Sequence, residues 1–373
     1  MKTILTTILS LIFSLTLQAQ FVTIPNGPFT MGDSLDGSLD AMTHQVTLTT
    51  YAIEQQDVTF TLWSKVYTYA KSNGYSFDRT GAAKGTNHPV EGMNWYDAVK
   101  WCNARSQMEG LTPCYYINTN LTTIYKQGRP ILSNQNVNWN ANGYRLPTEA
   151  EWEKAARGGA NGHRFPWTNT DNITGKMANY LGDNAAIRPP YDKGPVGYNP
   201  LYSKPPTPYT SPAGGFPTNG YGLYDMAGNV YNWCWDYYGS RYYTNNQINP
   251  QGPNYSRSTA NKVMRGGAWS TGAGNLRCMK RIYKSPTIYN SSTGFRCVKI
   301  INVPTLSITQ SGTNLILQSQ LYPYALASAL VKTNLSQPSW NILASNIAAN
   351  ALGNWIYITP LTQTMSFYKL QLQ

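Results

Sequence analysis

Oxygen-bearing side chains crowd into one short, glycine-containing stretch of the sequence. The stretch contains Asp225, Asn229, Asn232 and Asp236. Two glycines, Gly222 and Gly228, permit the tight turns that bring such oxygens together. Carboxylate and amide oxygens are the ligands that Ca²⁺ prefers, although the spacing differs from that of an EF-hand loop. The stretch therefore predicts a calcium site or, as the alternative, a set of side chains that cap turns.

The cysteines and histidines lack the spacing of the common metal and redox motifs. The five cysteines are Cys102, Cys114, Cys234, Cys278 and Cys297. No two of them form a C-x-x-C pair, which excludes a thioredoxin-type motif and the usual zinc knuckles. The three histidines, His44, His88 and His163, are not paired at helical spacing, so we expect each of them to be structural. The odd number of cysteines leaves at least one thiol over even if disulfides form.

The first 19 residues have the pattern of a secretory signal peptide. Lys2 precedes an apolar run from Ile4 to Leu17, and the small Ala19 offers a cleavage point before Gln20. The run is shorter than the roughly 20 residues that a membrane span needs; an N-terminal anchor helix is the alternative. No later stretch of the sequence approaches that length. We therefore expect a secreted protein, periplasmic or extracellular, in a compartment where disulfides can form.

The overall composition favours a loop-rich or β-rich globular protein. Only 12% of the 373 residues are charged, whereas glycine, proline, tyrosine and tryptophan are plentiful. This excludes a coiled coil, a collagen-like chain and a highly charged disordered chain. The net charge is +12, but the basic residues are scattered and no nucleic-acid recognition motif is present. We expect no nucleic-acid partner, and a basic surface of this kind suits acidic ligands such as sulfated glycans.

Three stretches predict helices that would position this chemistry. The first covers residues 60–70, and the second covers residues 95–104 with Asn94 as its N-cap. The third begins after Thr148, which forms a capping box with Glu151, and it stops at the glycine pair 158–159. Between residues 160 and 300 regular periodicity fades into glycine-, proline- and aromatic-rich sequence. We predict one unit over residues 20–300 in which long loops predominate.

The composition changes near residue 301. Residues 301–373 contain two lysines and no acidic residue. Short apolar runs recur there at residues 306–308, 315–317, 340–343, 355–358 and 367–370. Turn residues separate them, for example at positions 311–314 and 352–354. This pattern predicts a small β-sandwich of about 70 residues. Because it carries no chemical motif, we interpret it as an accessory or spacer domain.

Six segments in order resemble the hallmarks of the sulfatase-modifying-factor family, also called the formylglycine-generating-enzyme-like family. They are residues 24–32 (IPNGPFTMG), 88–90 (HPV), 143–153 (GYRLPTEAEWE), 219–230 (NGYGLYDMAGNV), 265–269 (RGGAW) and 294–297 (GFRC). The resemblance covers about residues 21–300. It implies an α+β fold related to C-type lectins, with little regular secondary structure.

The family's activity is implied by the resemblance, but its copper ligands are missing. Active members use copper and oxygen to oxidise a sulfatase cysteine to formylglycine, with two cysteines after the Gly-Gly segment as copper ligands. Here residues 266–277 contain no cysteine, and Cys278 resembles a disulfide cysteine of the family. Serine or threonine oxygen is a poor ligand for copper(I), which needs soft thiolates. We therefore expect no copper and no catalytic residues, and the chain would be a pseudoenzyme.

The resemblance also implies two calcium sites and a disulfide. For the first site it points to Asp225, Gly228, Val230 and Asn232, the last standing where the family has glutamate. For part of the second site it points to Asn179 and Tyr180. It pairs Cys102 with Cys297, whereas the usual partner position of Cys278 is Ala156. Cys278 would pair with Cys234 or Cys114, or these three would stay as thiols.

Three functions compete on this sequence. The first is the family oxidase, which the missing cysteines oppose. The second is a non-catalytic, calcium-stabilised, lectin-like module that binds a glycan or an exported peptide or sulfatase in an aromatic cleft. We assign to that cleft Tyr231, Trp233, Trp235, Trp269 and Ser270, with core packing as the alternative for each aromatic residue. The third is an oxidase of the ergothioneine or siderophore type, whose iron enzymes need a histidine cluster that this chain lacks.

Overall fold

The computed structural model describes residues 20–301, apart from 33–34, 39–40, 185, 244 and 258–259, and the backbone of six strands beyond residue 301. The chain divides into two compact units, one ending at Ile300 and one starting at Ile301. The predicted signal peptide, residues 1–19, lies outside the described residues. In the described part of the chain, no helix is long and apolar enough to cross a membrane.

Between residues 20 and 300, the described part of the first unit contains three α-helices, and each begins at a side-chain cap. They are α1 (Phe60–Ser72), α2 (Trp95–Met108) and α3 (Glu149–Arg157). The predicted capping box of α3 is confirmed, and the helix ends at Gly158 in the left-handed region at φ 60°. Asn94 caps α2, as predicted, by accepting a hydrogen bond from the Asp97 amide at 2.9 Å. Helices α1 and α2 run two and four residues further than the sequence predicted.

Twelve short strands also lie among the described residues of the first unit. They are β1 (Phe21–Ile24), β2 (Gly27–Met31), β3 (His44–Leu48), β4 (Tyr51–Glu54), β5 (Leu181–Gly182), β6 (Gly197–Tyr198), β7 (Tyr231–Tyr237), β8 (Gln247–Ile248), β9 (Lys262–Arg265), β10 (Ile282–Lys284), β11 (Thr293–Gly294) and β12 (Val298–Ile300). They form sheets of order β10-β9-β7-β11, β1-β4-β12, β2-β3-β8 and β5-β6. Few helices and many short strands give the mixed α+β content that the sequence predicted.

Aromatic side chains fill the core between α1, α2 and the central strand β7. Trp63 of α1 and Trp101 of α2 stack face to face with ring centroids 5.8 Å apart. Every residue of β7 is buried, because the strand is covered on both faces. Trp235 of β7 lies 5.4 Å from Trp95 and 5.2 Å from Tyr115 between ring centroids. Strand β7 therefore carries its polar residues through the interior of the unit.

The second unit contains two three-stranded antiparallel sheets. Its strands are β13 (Ser307–Ser311), β14 (Asn314–Gln320), β15 (Leu326–Lys332), β16 (Asn341–Ala348), β17 (Asn354–Pro360) and β18 (Phe367–Leu372). The orders are β13-β14-β17 and β16-β15-β18. The apolar runs that the sequence singled out after residue 301 fall in or beside five of these six strands.

Candidate functional site

The loop over residues 266–277 begins with two glycines that no other residue type would replace without strain. Gly266 and Gly267 have φ of 93° and 74°. A Cβ on Gly267 would lie 2.6 Å from the Leu276 side chain, so the loop folds closely onto its own short 3₁₀ turn, Ala273–Leu276. The Trp269 amide donates to the carbonyl of Asn229 at 2.9 Å. These contacts fix the position of Trp269 and the residues that follow it.

Hydroxyl groups and aromatic rings surround this loop. The Ser270 and Ser292 hydroxyl oxygens lie 2.6 Å apart, and the Trp269 indole donates to the Ser291 carbonyl at 2.9 Å. Burial raises the pKa of Tyr231. The hydrogen bond with the Thr271 side chain lowers this pKa and so offsets part of the rise. Neutral hydroxyls and rings of this kind can bind a ligand by hydrogen bonds and stacking.

An aromatic cluster consists of Tyr198, Tyr209 and Trp269. Their ring centroids lie 4.8 Å apart for the two tyrosines, and 5.6 and 5.3 Å from Trp269. Tyr198 is 41% exposed, whereas Trp269 is buried beneath the tyrosines. The Lys84 ammonium lies 5.2 Å from the centroid of the Tyr209 ring. The cluster therefore presents a solvent-facing ring beside a positive charge.

The structure places the predicted cleft residues in different environments. Ser270 is half-buried and contacts Ser292, whereas Trp269 and Tyr231 are buried, with Tyr231 beside Thr271 of the same loop. The assignment of Trp233 and Trp235 to the cleft is wrong, because both lie in the core with exposures of 0% and 2%. Alternation along a strand would point such residues outward, but β7 has no solvent face.

Tyr198 and Tyr209 belong to the aromatic cluster, yet sequence reasoning did not find them. They lie in the long region without periodicity, where tyrosines recur at irregular spacing. No local pattern separates these two tyrosines from the others of that region. Only the folded loop brings them against Trp269.

All five cysteines lie in the described part of the chain, where they are buried and form no disulfide bond with one another. The Cys102 and Cys297 sulfurs lie 3.7 Å apart, close neighbours but beyond the about 2.05 Å of an S–S bond. Burial raises the pKa of Cys114 to about 12 and the pKa of Cys234 well above its usual range. Buried thiols of this kind are poor sources of the thiolate that copper(I) requires.

Two residues of the predicted calcium stretch, Asp225 and Asn232, belong to a buried group of polar and charged side chains. We name this group the Arg296 cluster; its members are Asp57, Asp225, Asn232 and Arg296. The Arg296 guanidinium donates to the Asp57 carboxylate at 2.9 Å, to the Asn232 side-chain oxygen at 2.8 Å and to the Tyr224 carbonyl at 2.9 Å. Asp57 and Arg296 form an ion pair in which neither side chain is exposed. The cluster connects Asn232 of β7 to Asp57, near the start of the unit's sequence, and to Arg296, near its end.

Two carboxylate oxygens of the Arg296 cluster accept no hydrogen bond from any described residue. They are Asp57 Oδ2 and Asp225 Oδ1, and both are buried. Burial raises the pKa of Asp57 to about 6, although the positive charge of Arg296 lowers that pKa and so limits the rise. Burial and then the charge of Asp57 raise the pKa of Asp225 to about 7. An unpartnered buried carboxylate oxygen needs a proton, a cation or a water molecule that donates to it.

The residues of the first predicted calcium site differ in how well they fit a cation. Asp225 fits, because one of its oxygens is unpartnered. Asn232 does not: its oxygen already accepts from the Trp152 indole at 3.0 Å and from Arg296, which uses both lone pairs. The prediction that Asn232 is a ligand is therefore corrected. Gly228 and Val230 lie three and five residues after Asp225, and their role as carbonyl ligands stays a prediction.

The second predicted calcium site has less support. The Asn179 side chain donates to the Tyr209 carbonyl at 2.8 Å, and its own carbonyl accepts from the Asn229 amide. Tyr180 donates its hydroxyl to Asp192 at 2.6 Å. Within the described residues, no group of three or more His, Cys, Asp or Glu side chains gathers closely enough to hold a metal ion.

Comparison with known proteins decides the family. A model of the sulfatase-modifying factor enzyme 1-like domain matches residues 14–301, more than three quarters of the chain. The chain belongs to this family. The resemblance drawn from the six hallmark segments is thereby confirmed.

Several relatives share this domain in different contexts. The chain is 29% identical over 310 residues to the formylglycine-generating enzyme of Bos taurus, covering 74% of each chain. It is 38% identical over 160 residues to a serine/threonine-protein kinase, pkn1, of Chlamydia pneumoniae. That match covers 43% of this chain but spans only 22% of the kinase. Family membership therefore reaches proteins of different overall activity.

A solved structure of similar fold is Treponema denticola variable protein 1. It is 29% identical to this chain, with a TM-score of 0.56. The match covers 75% of this chain and 95% of that one. The family fold is thus shared by a protein that carries neither an oxidase nor a kinase name.

Proposed function

We propose that this chain is an exported member of the family that has lost the copper-dependent oxidation of sulfatase cysteines and binds a ligand instead. The observation that carries the proposal is the position of the thiols. Residues 266–277 contain none, and all five cysteines are buried. Oxidation of a substrate cysteine through copper(I) needs accessible thiolate ligands, so this chain lacks the group on which the reaction depends.

The aromatic cluster supports the binding role. Tyr198 offers an exposed ring, and the Ser270 and Ser292 hydroxyls lie beside Trp269. Sugar rings and peptide side chains both stack on such surfaces. The Lys84 ammonium and the net charge of +12 favour an acidic ligand, whether a glycan or a peptide.

Calcium belongs to the proposal as the ion that stabilises the lectin-like scaffold. Asp225 with its unpartnered oxygen, and the carbonyls of Gly228 and Val230, are the residues that would hold it. Bound there, Ca²⁺ would compensate the buried carboxylate charge. Residues 1–19 would direct export, and the two sheets of the second unit would pack as an accessory β-sandwich.

The oxidase part is tested with the purified mature protein, copper(I), oxygen and a Cys-Thr-Pro-Ser-Arg peptide. We expect no peptide aldehyde by hydrazide labelling and no tight copper(I) binding. The bovine formylglycine-generating enzyme serves as the positive control. An aldehyde at a rate near that of the control would refute the proposal, and Cys278→Ser and Cys234→Ser variants would then show which thiols act.

The binding part is tested on glycan and peptide arrays that include sulfated and carboxylated members. Because Tyr198 is exposed, Tyr198→Ala should weaken binding of any array hit by about tenfold while leaving the melting temperature unchanged. Tyr283, which is 47% exposed on strand β10, supplies the matched control Tyr283→Ala. Equal effects of the two variants would place the ligand elsewhere.

A further inference from the structure

The charges of the Arg296 cluster do not balance within the protein. Glu54, which lies near Asp57, is already paired with Arg105 at 2.5 Å. Arg296 is paired with Asp57 at 2.9 Å and touches Asp225 only through the Asp225 backbone carbonyl. The Asp225 side chain accepts a single described hydrogen bond, from the Gly214 amide at 2.6 Å. When both aspartates are ionised, one negative charge is left without a counter-charge in the interior.

The unpartnered oxygens mark where a counter-charge would sit. Asp57 uses Oδ1 for both Asn232 and Arg296, and this leaves Oδ2 without a donor. Asp225 uses Oδ2 for Gly214, and this leaves Oδ1 without a donor. Each aspartate therefore has one oxygen without a hydrogen-bond donor. The negative charge of Asp57 also disfavours the ionised form of Asp225. A buried oxygen of this kind costs free energy unless a cation, a proton or a donating water molecule meets it, and a cation also offsets the net negative charge.

We propose that Asp57 is the second carboxylate ligand of a calcium ion held by Asp225, and that it takes the place of the side chain at position 232. The carbonyls of Gly228 and Val230 and water molecules would complete the coordination, since Ca²⁺ takes six to eight oxygens. This inference rests on the calcium site of the proposed function and names a ligand that the family resemblance did not supply. With both carboxylates and Arg296 nearby, a divalent cation leaves one net positive charge instead of one negative charge.

A cavity open to solvent reaches Asp57. It has a volume of about 450 Å³ and is lined by Gln55, Gln56, Asp57 and Val58 among others, whereas Asp225 does not line it. The cavity gives a hydrated ion an entry path and leaves room for the waters that calcium retains. An all-oxygen set of carboxylates and carbonyls selects calcium over zinc or copper, which prefer nitrogen and sulfur.

The test compares Asp57→Asn and Asp225→Asn with the wild-type full chain by calcium titration calorimetry and by terbium luminescence. Trp152, whose indole contacts Asn232, lies close enough to sensitise a terbium ion in the cluster. Each variant keeps the oxygen that accepts hydrogen bonds and replaces only the unpartnered one. We expect each to weaken calcium binding by about tenfold or more, the usual scale for losing a metal-site group. Asp78→Asn, at a part-exposed ion pair with Arg129, should leave binding unchanged.

Thermal melting separates the proposed role from a folding defect. In EDTA the Asp225→Asn variant should melt at or above the wild-type temperature, because it removes the buried charge that no cation pairs with. In about 1–10 mM calcium, a range that saturates extracellular modules, the order should reverse, because only the wild type gains stability from the ion.

Three results would overturn the inference in distinguishable ways. Wild-type affinity in Asp57→Asn together with loss in Asp225→Asn would keep the calcium site and remove Asp57 from it. No calcium or terbium binding by the wild type would remove the site itself, and with it the calcium part of the proposed function. Lower melting of Asp225→Asn than of wild type in EDTA would mean that Asp225 carries no uncompensated charge, and this would remove the reason for a cation at the cluster. None of these results bears on the missing oxidase activity.

Discussion

Replacement of Arg145 by methionine should destabilise the first unit by about 3–5 kcal/mol. Arg145 donates two hydrogen bonds of 2.7 Å to the two oxygens of Glu151, and both side chains are at most 10% exposed. Removing one partner of a buried, bidentate ion pair leaves the other charge uncompensated, and this costs about that amount. The pair also holds Glu151 in the capping box of α3. Against a total stability of about 5–15 kcal/mol, the loss is a large fraction.

Urea unfolding followed by tryptophan fluorescence measures this loss, since nine of the 11 tryptophans lie before residue 301. The matched control is Arg129→Met, which breaks an ion pair with Asp78 at a side chain that is 48% exposed. That variant should cost at most about 1 kcal/mol. The double variant Arg145→Met with Glu151→Leu should recover most of the loss, because no buried charge then remains unpaired.

Two outcomes would refute this reasoning. If Arg145→Met costs no more than Arg129→Met, the buried pair contributes nothing beyond an exposed one. If the double variant is as unstable as Arg145→Met, the loss comes from packing or from the helix cap and not from the uncompensated charge. The double-mutant cycle therefore separates charge from shape.

Three further predictions concern a carboxyl group, a pair of thiols and a helix cap. Burial and the charge of Glu149 raise the pKa of Asp236 to about 7, so the folded state holds this proton more tightly than the unfolded state. Its contribution to stability is complete below about pH 4 and is lost as the pH rises towards 7, so Asp236→Asn should flatten the fall in melting temperature over that interval. Protein purified from an oxidising compartment should contain a Cys102–Cys297 disulfide by non-reducing mass mapping; it would close a loop of 195 residues and stabilise by about 5 kcal/mol. Thr148→Ala should cost about 1 kcal/mol by urea unfolding, because it removes the N-cap of α3.

Each of these has a clear contrary result. An unchanged melting profile in Asp236→Asn would assign the pH dependence to other carboxyls. Equal melting temperatures with and without reductant would show that the two sulfurs stay as thiols. A cost near zero for Thr148→Ala would mean that the Glu151 carboxylate alone satisfies the start of α3.

Local signals explain which elements the sequence revealed. Asn94 and Thr148 each cap a helix through a hydrogen bond to an amide three residues on, so caps of this kind are readable from the sequence. The cleft was less predictable, because it depends on which strand is covered. Trp233 and Trp235 carry the same side chain as Trp269, but β7 is buried on both faces and the loop that bears Trp269 is not part of a strand.

The residues of the Arg296 cluster come from distant parts of the sequence. Asp57 lies after β4, and Arg296 lies just before β12, which pairs with β4. This long-range pairing brings Asp57 to Asn232 and Asp225, although it is more than 160 residues from either along the chain. The sequence signal was limited to Asn232, which stands where the resemblance implies a glutamate, and the contact of Asp57 with Asn232 became visible only in the fold.

The hallmark segments of the family contribute mainly to the scaffold. Asn219 donates to the last carbonyls of α3, Arg145 pairs with Glu151, and Arg296 pairs with Asp57 inside the unit. Such residues are buried and hydrogen-bonded, so their presence shows that the chain adopts the family fold. The oxidation reaction would depend instead on thiols in the loop over residues 266–277, and no hallmark segment covers that loop beyond Trp269. A chain can therefore match the family over its whole domain and still lack the family's reaction, since the fold and the reaction rest on different residues.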